Sequence, residues 1–226
     1  FTPGPDNGSP ITGYRYIKDD GSVTSTILGT TGRTPVGIAI DAGGNVYTTN
    51  LDPDSPSKIA PDGTSSILGT TRGTRFGIAL DAAGNVYIAN NGLNNVSKIT
   101  TDGTSSILGT TGSGPLGIAL DGAGNVYTAN SVSNNVSKIT PDGSSTILGT
   151  TGDYPNSIAL DAAGNVYTAN TFSNNVSKIT PAGISSILGT TGSRPQGIAI
   201  DAAGNVYTAN SNSNNVSKIT PDGIST

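Results

Sequence analysis

The chain has 226 residues, a net charge of −4, and no Cys, Met, Trp or His. Glu is absent too, so all 15 acidic side chains are Asp. Without Cys and His there is no disulfide, no zinc site of the usual ligands, no Ser–His or Cys–His nucleophile, and no ordinary base near neutral pH.

Lys is scattered rather than clustered, which argues against a nucleic-acid groove or an anionic membrane surface. No stretch approaches the length of a membrane-spanning helix. The chain begins at Phe1 without Met. That start reads as a processed terminus, so the expected home is secreted, periplasmic or cell-surface. Asp in place of Glu, together with 32 Gly, favours tight turns over helices.

In chain order, Tyr14–Lys18 and Thr24–Leu28 read as two strands of a part-unit. A forty-residue sentence then repeats. Asp-Ala-Ala-Gly-Asn-Val-Tyr-Thr-Ala-Asn stands at 161–170 and 201–210, with close variants from Asp41, Asp81 and Asp121. The single domain 1–226 therefore divides into a part-blade 1–32, repeats 33–72, 73–112, 113–152 and 153–192, and a part-repeat 193–226. A fixed period means one supersecondary unit packed on copies of itself.

One repeat shows the unit. Residues 117–121, 125–130, 135–140 and 144–149 are short runs rich in β-branched residues, here strands A to D. Asp121-Gly-Ala-Gly124 and Pro141-Asp-Gly143 supply tight turns that end on glycine. Val126 and Tyr127 point to opposite faces, so both faces of the meander need cover. Radial stacking supplies it, and the expected fold is an all-β propeller of four-stranded antiparallel blades. Five blades is the simplest count, with the strand at 24–28 closing the last one. Six blades is the alternative, and a linear β-solenoid the weaker one.

Gly-Ile-Ala-Leu-Asp followed by Gly-Asn-Val-Tyr and Asn-Asn-Val-Ser-Lys-Ile resembles NHL-type propeller repeats. Val-Tyr-Thr-Ala-Asn followed by Asn-Asn-Val-Ser resembles YVTN-type repeats. The resemblance covers nearly everything after about residue 14. It implies a propeller and leaves function open, because such propellers host binding, scaffolding and several chemistries. Enzymes of related propeller families, lyases and lactone hydrolases, build sites from His, Glu and a bound metal, and this chain has neither residue.

Variation between repeats falls in the D–A connections and the B–C loops, which leave the strands at the same end. Binding residues usually sit on such loops. Arg33, Arg72, Arg75, Phe76, Tyr154, Phe172 and Arg194 lie in or beside them, and these residue types favour interfaces. The expected function is non-catalytic binding of a protein or carbohydrate partner by this face. A multivalent lectin using the repeated Asn residues (Asn50, Asn90, Asn130, Asn170 and Asn210) is one alternative. An Asp-dependent hydrolase or lyase is the other, with Asp52 and Asp54 the close carboxylate pair. No catalytic residue is assigned. Asp41, Asp81, Asp121, Asp161 and Asp201 end strand A on the opposite face. They are weak candidates for a structural divalent cation, and the favoured reading is that each caps its own turn.

Overall fold

The computed structural model describes residues 27–226 except 53, 54, 70, 72 and 74. Each repeat forms one antiparallel sheet whose strand order follows the chain. The first blade holds β1 (Arg33–Ile40), β2 (Val46–Asp52), β3 (Ser57–Ile59) and β4 (Ser65–Ile67). The second holds β5 (Arg75–Leu80), β6 (Val86–Asn90), β7 (Asn95–Ile99) and β8 (Ser105–Thr110). The third holds β9 (Pro115–Leu120), β10 (Val126–Asn130), β11 (Asn135–Ile139) and β12 (Ser145–Thr150). The fourth holds β13 (Pro155–Leu160), β14 (Val166–Asn170), β15 (Asn175–Ile179) and β16 (Ser185–Thr190). The fifth has β17 (Pro195–Ile200), β18 (Val206–Asn210) and β19 (Asn215–Ile219). The inner strands pack in sequence, β1 on β5, β5 on β9, β9 on β13 and β13 on β17. This is a five-bladed β-propeller.

Register explains the core. Val126 lies opposite Ile139 and Leu120, and Tyr127 lies opposite Lys138 and Ala119. One face of the third blade therefore presents Val126, Ile139, Ile118 and Leu120 backward, where they meet Tyr87 and Val96 of the second blade. The other face presents Tyr127 and Val136 forward, where they meet Val166 and Ile179 of the fourth. The same seam recurs between the fourth and fifth blades with Tyr167 and Val176 against Val206 and Ile219. A blade is thus apolar on both sides and cannot be covered alone.

Close approach at the inner strands demands small residues. A Cβ on Gly77 would lie 2.4 Å from the Leu116 carbonyl oxygen. Gly124 and Gly143 hold φ of 82° and 89° in their turns, a region that penalises a side chain.

The end of the chain departs from expectation. Ile219 bridges to Ser225, and Lys218 and Thr226 exchange backbone hydrogen bonds of 2.9 and 2.8 Å. The last blade therefore begins its own outer strand, in the slot assigned above to residues 24–28. Residues 24–26, like the strand expected at 14–18, lie outside the described residues. Leu28 to Thr30 sit beside the first blade, where the outer strand of a preceding blade would end. The Thr30 amide donates to Ser65 Oγ at 3.0 Å, as Thr110 donates to Ser145 at 3.1 Å. Among the described residues β17 makes no packing contact with β1 comparable to those between neighbouring blades.

The seams predict unequal costs for one substitution at equivalent sites. Val176→Ala, fully buried, is expected to cost about 2 kcal/mol. Val216→Ala, largely exposed, should cost less than about 0.5 kcal/mol. Urea midpoints check this, and equal shifts would contradict the seam.

Candidate binding face

The loop face is one connected network. In the third, fourth and fifth blades the B–C loop is bonded to the D–A connection that opens the same blade. The Thr171 and Phe172 amides donate to the Tyr154 and Asp153 carbonyls at 2.9 and 3.2 Å, and the Ser211 amide donates to the Arg194 carbonyl at 2.9 Å. Each of these three connections is also tied to the preceding blade. The amides of Gly114, Tyr154 and Arg194 donate to Oδ1 of Asn94, Asn134 and Asn174 at 2.9, 2.9 and 2.8 Å.

Those anchors fix an unusual backbone. Tyr154 and Arg194 sit at φ of 57° and 56°, at the position where the third repeat has Gly114. A non-glycine residue held there costs of order 1 kcal/mol or more. The Tyr154 ring packs on Phe172 with centroids 4.6 Å apart, within the range of favourable aromatic pairs. Phe172 nevertheless stays 60% exposed. Leu93 and Val132, on the B–C loops of the two preceding blades, are exposed as well. These two were not singled out from sequence, although their loops stood out as variable. Their signal is an apolar side chain where the fifth repeat has Asn212 or Ser213.

Of the seven residues expected here, Tyr154 and Phe172 are the pair in contact. Arg194 is exposed on the next blade, and Arg33 opens β1 in the first. Phe76 is half-buried in a register shift of β5, where its carbonyl accepts from the Thr49 hydroxyl at 3.0 Å. It thereby belongs to a seam as much as to a loop. Arg72 lies outside the described residues, as does the side chain of Arg75. The same holds for Asp54 and the side chain of Asp52.

The repeated Asn residues are not available to a sugar. Asn90, Asn130 and Asn170 are fully buried. Their Nδ2 groups donate to Asn95, Asn135 and Asn175 Oδ1 at 2.7 Å and to Ser97, Ser137 and Ser177 Oγ at 2.8 Å. These amides lock strand B to strand C.

The Asp residues of the opposite face are equally committed. Asp121 Oδ1 accepts from the Ala123 and Asn125 amides at 3.0 and 2.9 Å. Its Oδ2 accepts from Asn125 Nδ2 at 2.7 Å and the Tyr127 hydroxyl at 3.0 Å. Lys138 Nζ lies 5.6 Å from the Tyr127 ring centroid, close enough for cation–π attraction. Asp41, Asp81, Asp161 and Asp201 repeat the Tyr and Asn bonds. Among the described residues no three carboxylates converge as a metal site would need.

Burial pushes the Asp121 carboxyl upward, but the bonds from Asn125, Tyr127 and Ala123 outweigh it and the net shift is downward. Burial, then the bond to Asp121, raises Tyr127 to about 12. Asp121 thus adds stability above its unfolded value of 3.8 that is lost as pH falls through the lower folded value. Tyr127 adds stability that is complete below pH 10 and lost as pH rises toward about 12. Thermal melts should show Tm falling above pH 10. Tyr127→Phe, with no proton to lose, should fall less steeply over that window. Parallel curves would contradict the coupling.

With this geometry in place, the relatives are informative. A family model described as the virginiamycin B lyase family matches residues 68–226. The fold resembles the virginiamycin B lyase of Staphylococcus aureus with TM-score 0.74 and 21% identity, covering 85% of this chain and 69% of that one. It also resembles the catalytically inactive His-to-Ala variant of the S. aureus enzyme with quinupristin (TM-score 0.73, 22% identity, 87% and 69% covered). A streptogramin B lyase gives TM-score 0.75 at 20% identity, with 86% and 68% covered. No curated protein matches the chain.

Proposed function

We propose, from the premise that the chain belongs to the virginiamycin B lyase family, that it is a non-catalytic member, a rigid propeller that binds a protein partner through its loop face. The observation that carries this reading is the strained Tyr154–Arg194 pair of connections beside an exposed Phe172. Backbone strain at solvent-facing residues is retained where those side chains have a task. Leu93, Val132 and Phe172 extend the apolar surface across three adjacent blades, which favours a protein partner over a glycan. The buried, committed Asn amides weigh against the lectin alternative in the same way.

Family membership favours a second reading, a lyase. Against it stands the residue inventory. The 226 residues hold no His and no Glu, whereas a His-to-Ala change accompanies inactivity in the S. aureus enzyme. The Asp carboxylates that end strand A accept bonds from their own turn and from the strand B Tyr, as Asp121 does from Asn125 and Tyr127. An elimination needs a base free to take a proton, and these are not.

The two readings part in solution. Virginiamycin B and quinupristin incubated with the protein should elute unchanged on reversed-phase chromatography, and conversion of either to a new product would overturn the non-catalytic reading. Peptides selected on the protein from a random display library should lose affinity by about tenfold or more, roughly 1.4 kcal/mol, on Phe172→Ala. Arg194→Gly should weaken them too while leaving Tm unchanged or higher, because glycine relieves the positive φ. Undiminished binding by both variants would contradict the assigned face.

A further inference from the structure

The fourth blade carries a charge on the loop face that its two neighbours lack. In the D–A connections of the third, fourth and fifth blades, the residue at positive φ is Gly114, Tyr154 and Arg194. The residue before it is Ser113, Asp153 and Ser193, and the B–C loops place Val132, Phe172 and Asn212 alongside. A carboxylate and two aromatic rings therefore meet in the fourth blade.

One side chain of the preceding blade positions this group. Asn134 Oδ1 accepts from the Tyr154 amide at 2.9 Å, and its Nδ2 donates to Asp153 Oδ1 at 3.2 Å. The Asp153 carbonyl accepts from the Phe172 amide at 3.2 Å, and the Asp153 amide donates to Ser173 Oγ. The two rings lie 4.6 Å apart at 33° to one another. Asp153 is exposed, as is Phe172. Among the described residues nothing donates to Asp153 Oδ2, and no Lys or Arg stands over either ring.

The opposite face shows how this protein uses the same parts. In every blade a Tyr hydroxyl bonds to an Asp carboxylate, and a Lys ammonium stands over the Tyr ring. Ring, carboxylate and cation there come from one blade. The fourth-blade loops hold the ring and the carboxylate open to solvent.

A guanidinium suits such a pair better than an ammonium does. Its plane stacks on an aromatic face while its edge donates to a carboxylate. Arg194, the counterpart of Tyr154 on the next blade, is exposed on the same face, and its charge disfavours a second cation beside the first. The chemistry therefore fits one arginine rather than a basic stretch.

We propose, resting on the protein-binding reading above, that Asp153, Tyr154 and Phe172 form the seat for a single arginine side chain of the partner. The guanidinium stacks on Phe172 and donates to Asp153 Oδ2. Asn134 is a positioning residue, because it acts through Asp153 and Tyr154.

The probe is N-acetylarginine amide, titrated at low salt into the nitrogen-15-labelled full chain and followed by amide chemical shifts. Saturable 1:1 shifts are expected at Asp153, Tyr154 and Phe172. N-acetylcitrulline amide has nearly the same shape without the charge and should bind about fivefold or more weakly. Asp153→Asn keeps an acceptor for Asn134, so Tm should match the parent while the preference for arginine over citrulline disappears. Phe172→Leu keeps apolar bulk without a ring and should also weaken the arginine probe. No shifts at these amides, equal binding of the two probes, or a preference that survives Asp153→Asn overturns the proposal. Display-selected peptides separate this failure from that of the binding face. Peptides that need Phe172 but ignore Asp153→Asn strike the arginine seat alone, whereas peptides indifferent to both Phe172→Ala and Arg194→Gly strike the face itself.

Discussion

The contact on which everything else rests is the seam where a Tyr–Val pair on one blade closes over a Val–Ile pair on the next. A four-stranded sheet with two apolar faces has no stable existence in water by itself. Each blade borrows one cover from each neighbour, so the fold is a chain of mutual dependence with nearest-neighbour terms dominating. The crowded inner strands follow from it, because blades brought close enough to seal the seam leave no room for a Cβ at Gly77. The polar locks follow as well. Asn130 ties strand B to strand C within a blade, and Asn134 ties that blade to the next.

This division of labour separates the two ends of the disc. At one end, Asp, Asn, Tyr and Lys recur in every blade and satisfy one another. Groups so occupied serve structure. At the other end the anchors Asn94, Asn134 and Asn174 are alike, but the side chains they present differ, from Gly114 to Tyr154 to Arg194. A rigid mount carrying unlike side chains is the arrangement that recognition uses. Kinship with lyases accounts for how the chain folds, and one fold hosts more than one function.

The sequence disclosed much of this because the repeat is its own control. The alternation of Val126 and Tyr127, the glycines at positive φ and the turn-capping Asp residues could all be read from spacing and chemistry. The burial of Asn130 could not, since Asn at a strand end serves turns as readily as locks. Nor could the left-handed backbone at Tyr154 and Arg194, which neither residue prefers and which only the bonds from Asn134 and Asn174 impose. The ends were the hardest to read. Counting strands suggested that residues 24–28 would complete the last blade, whereas Ser225 and Thr226 already occupy that edge. Strand counts are local, and which copy fills a slot depends on the path of the whole ring.

Amide hydrogen exchange on β14 and β18 tests the seam most directly. Both strands are flanked on either side by hydrogen-bonded partners in their own sheets. They differ in that, among the described residues, β14 is covered by a blade on each face and β18 on one. If seams rather than sheet hydrogen bonds hold the blades, amides of β18 exchange markedly faster than their equivalents in β14. Equal protection of the two strands would show that a blade stands without its neighbours, and the account would fail.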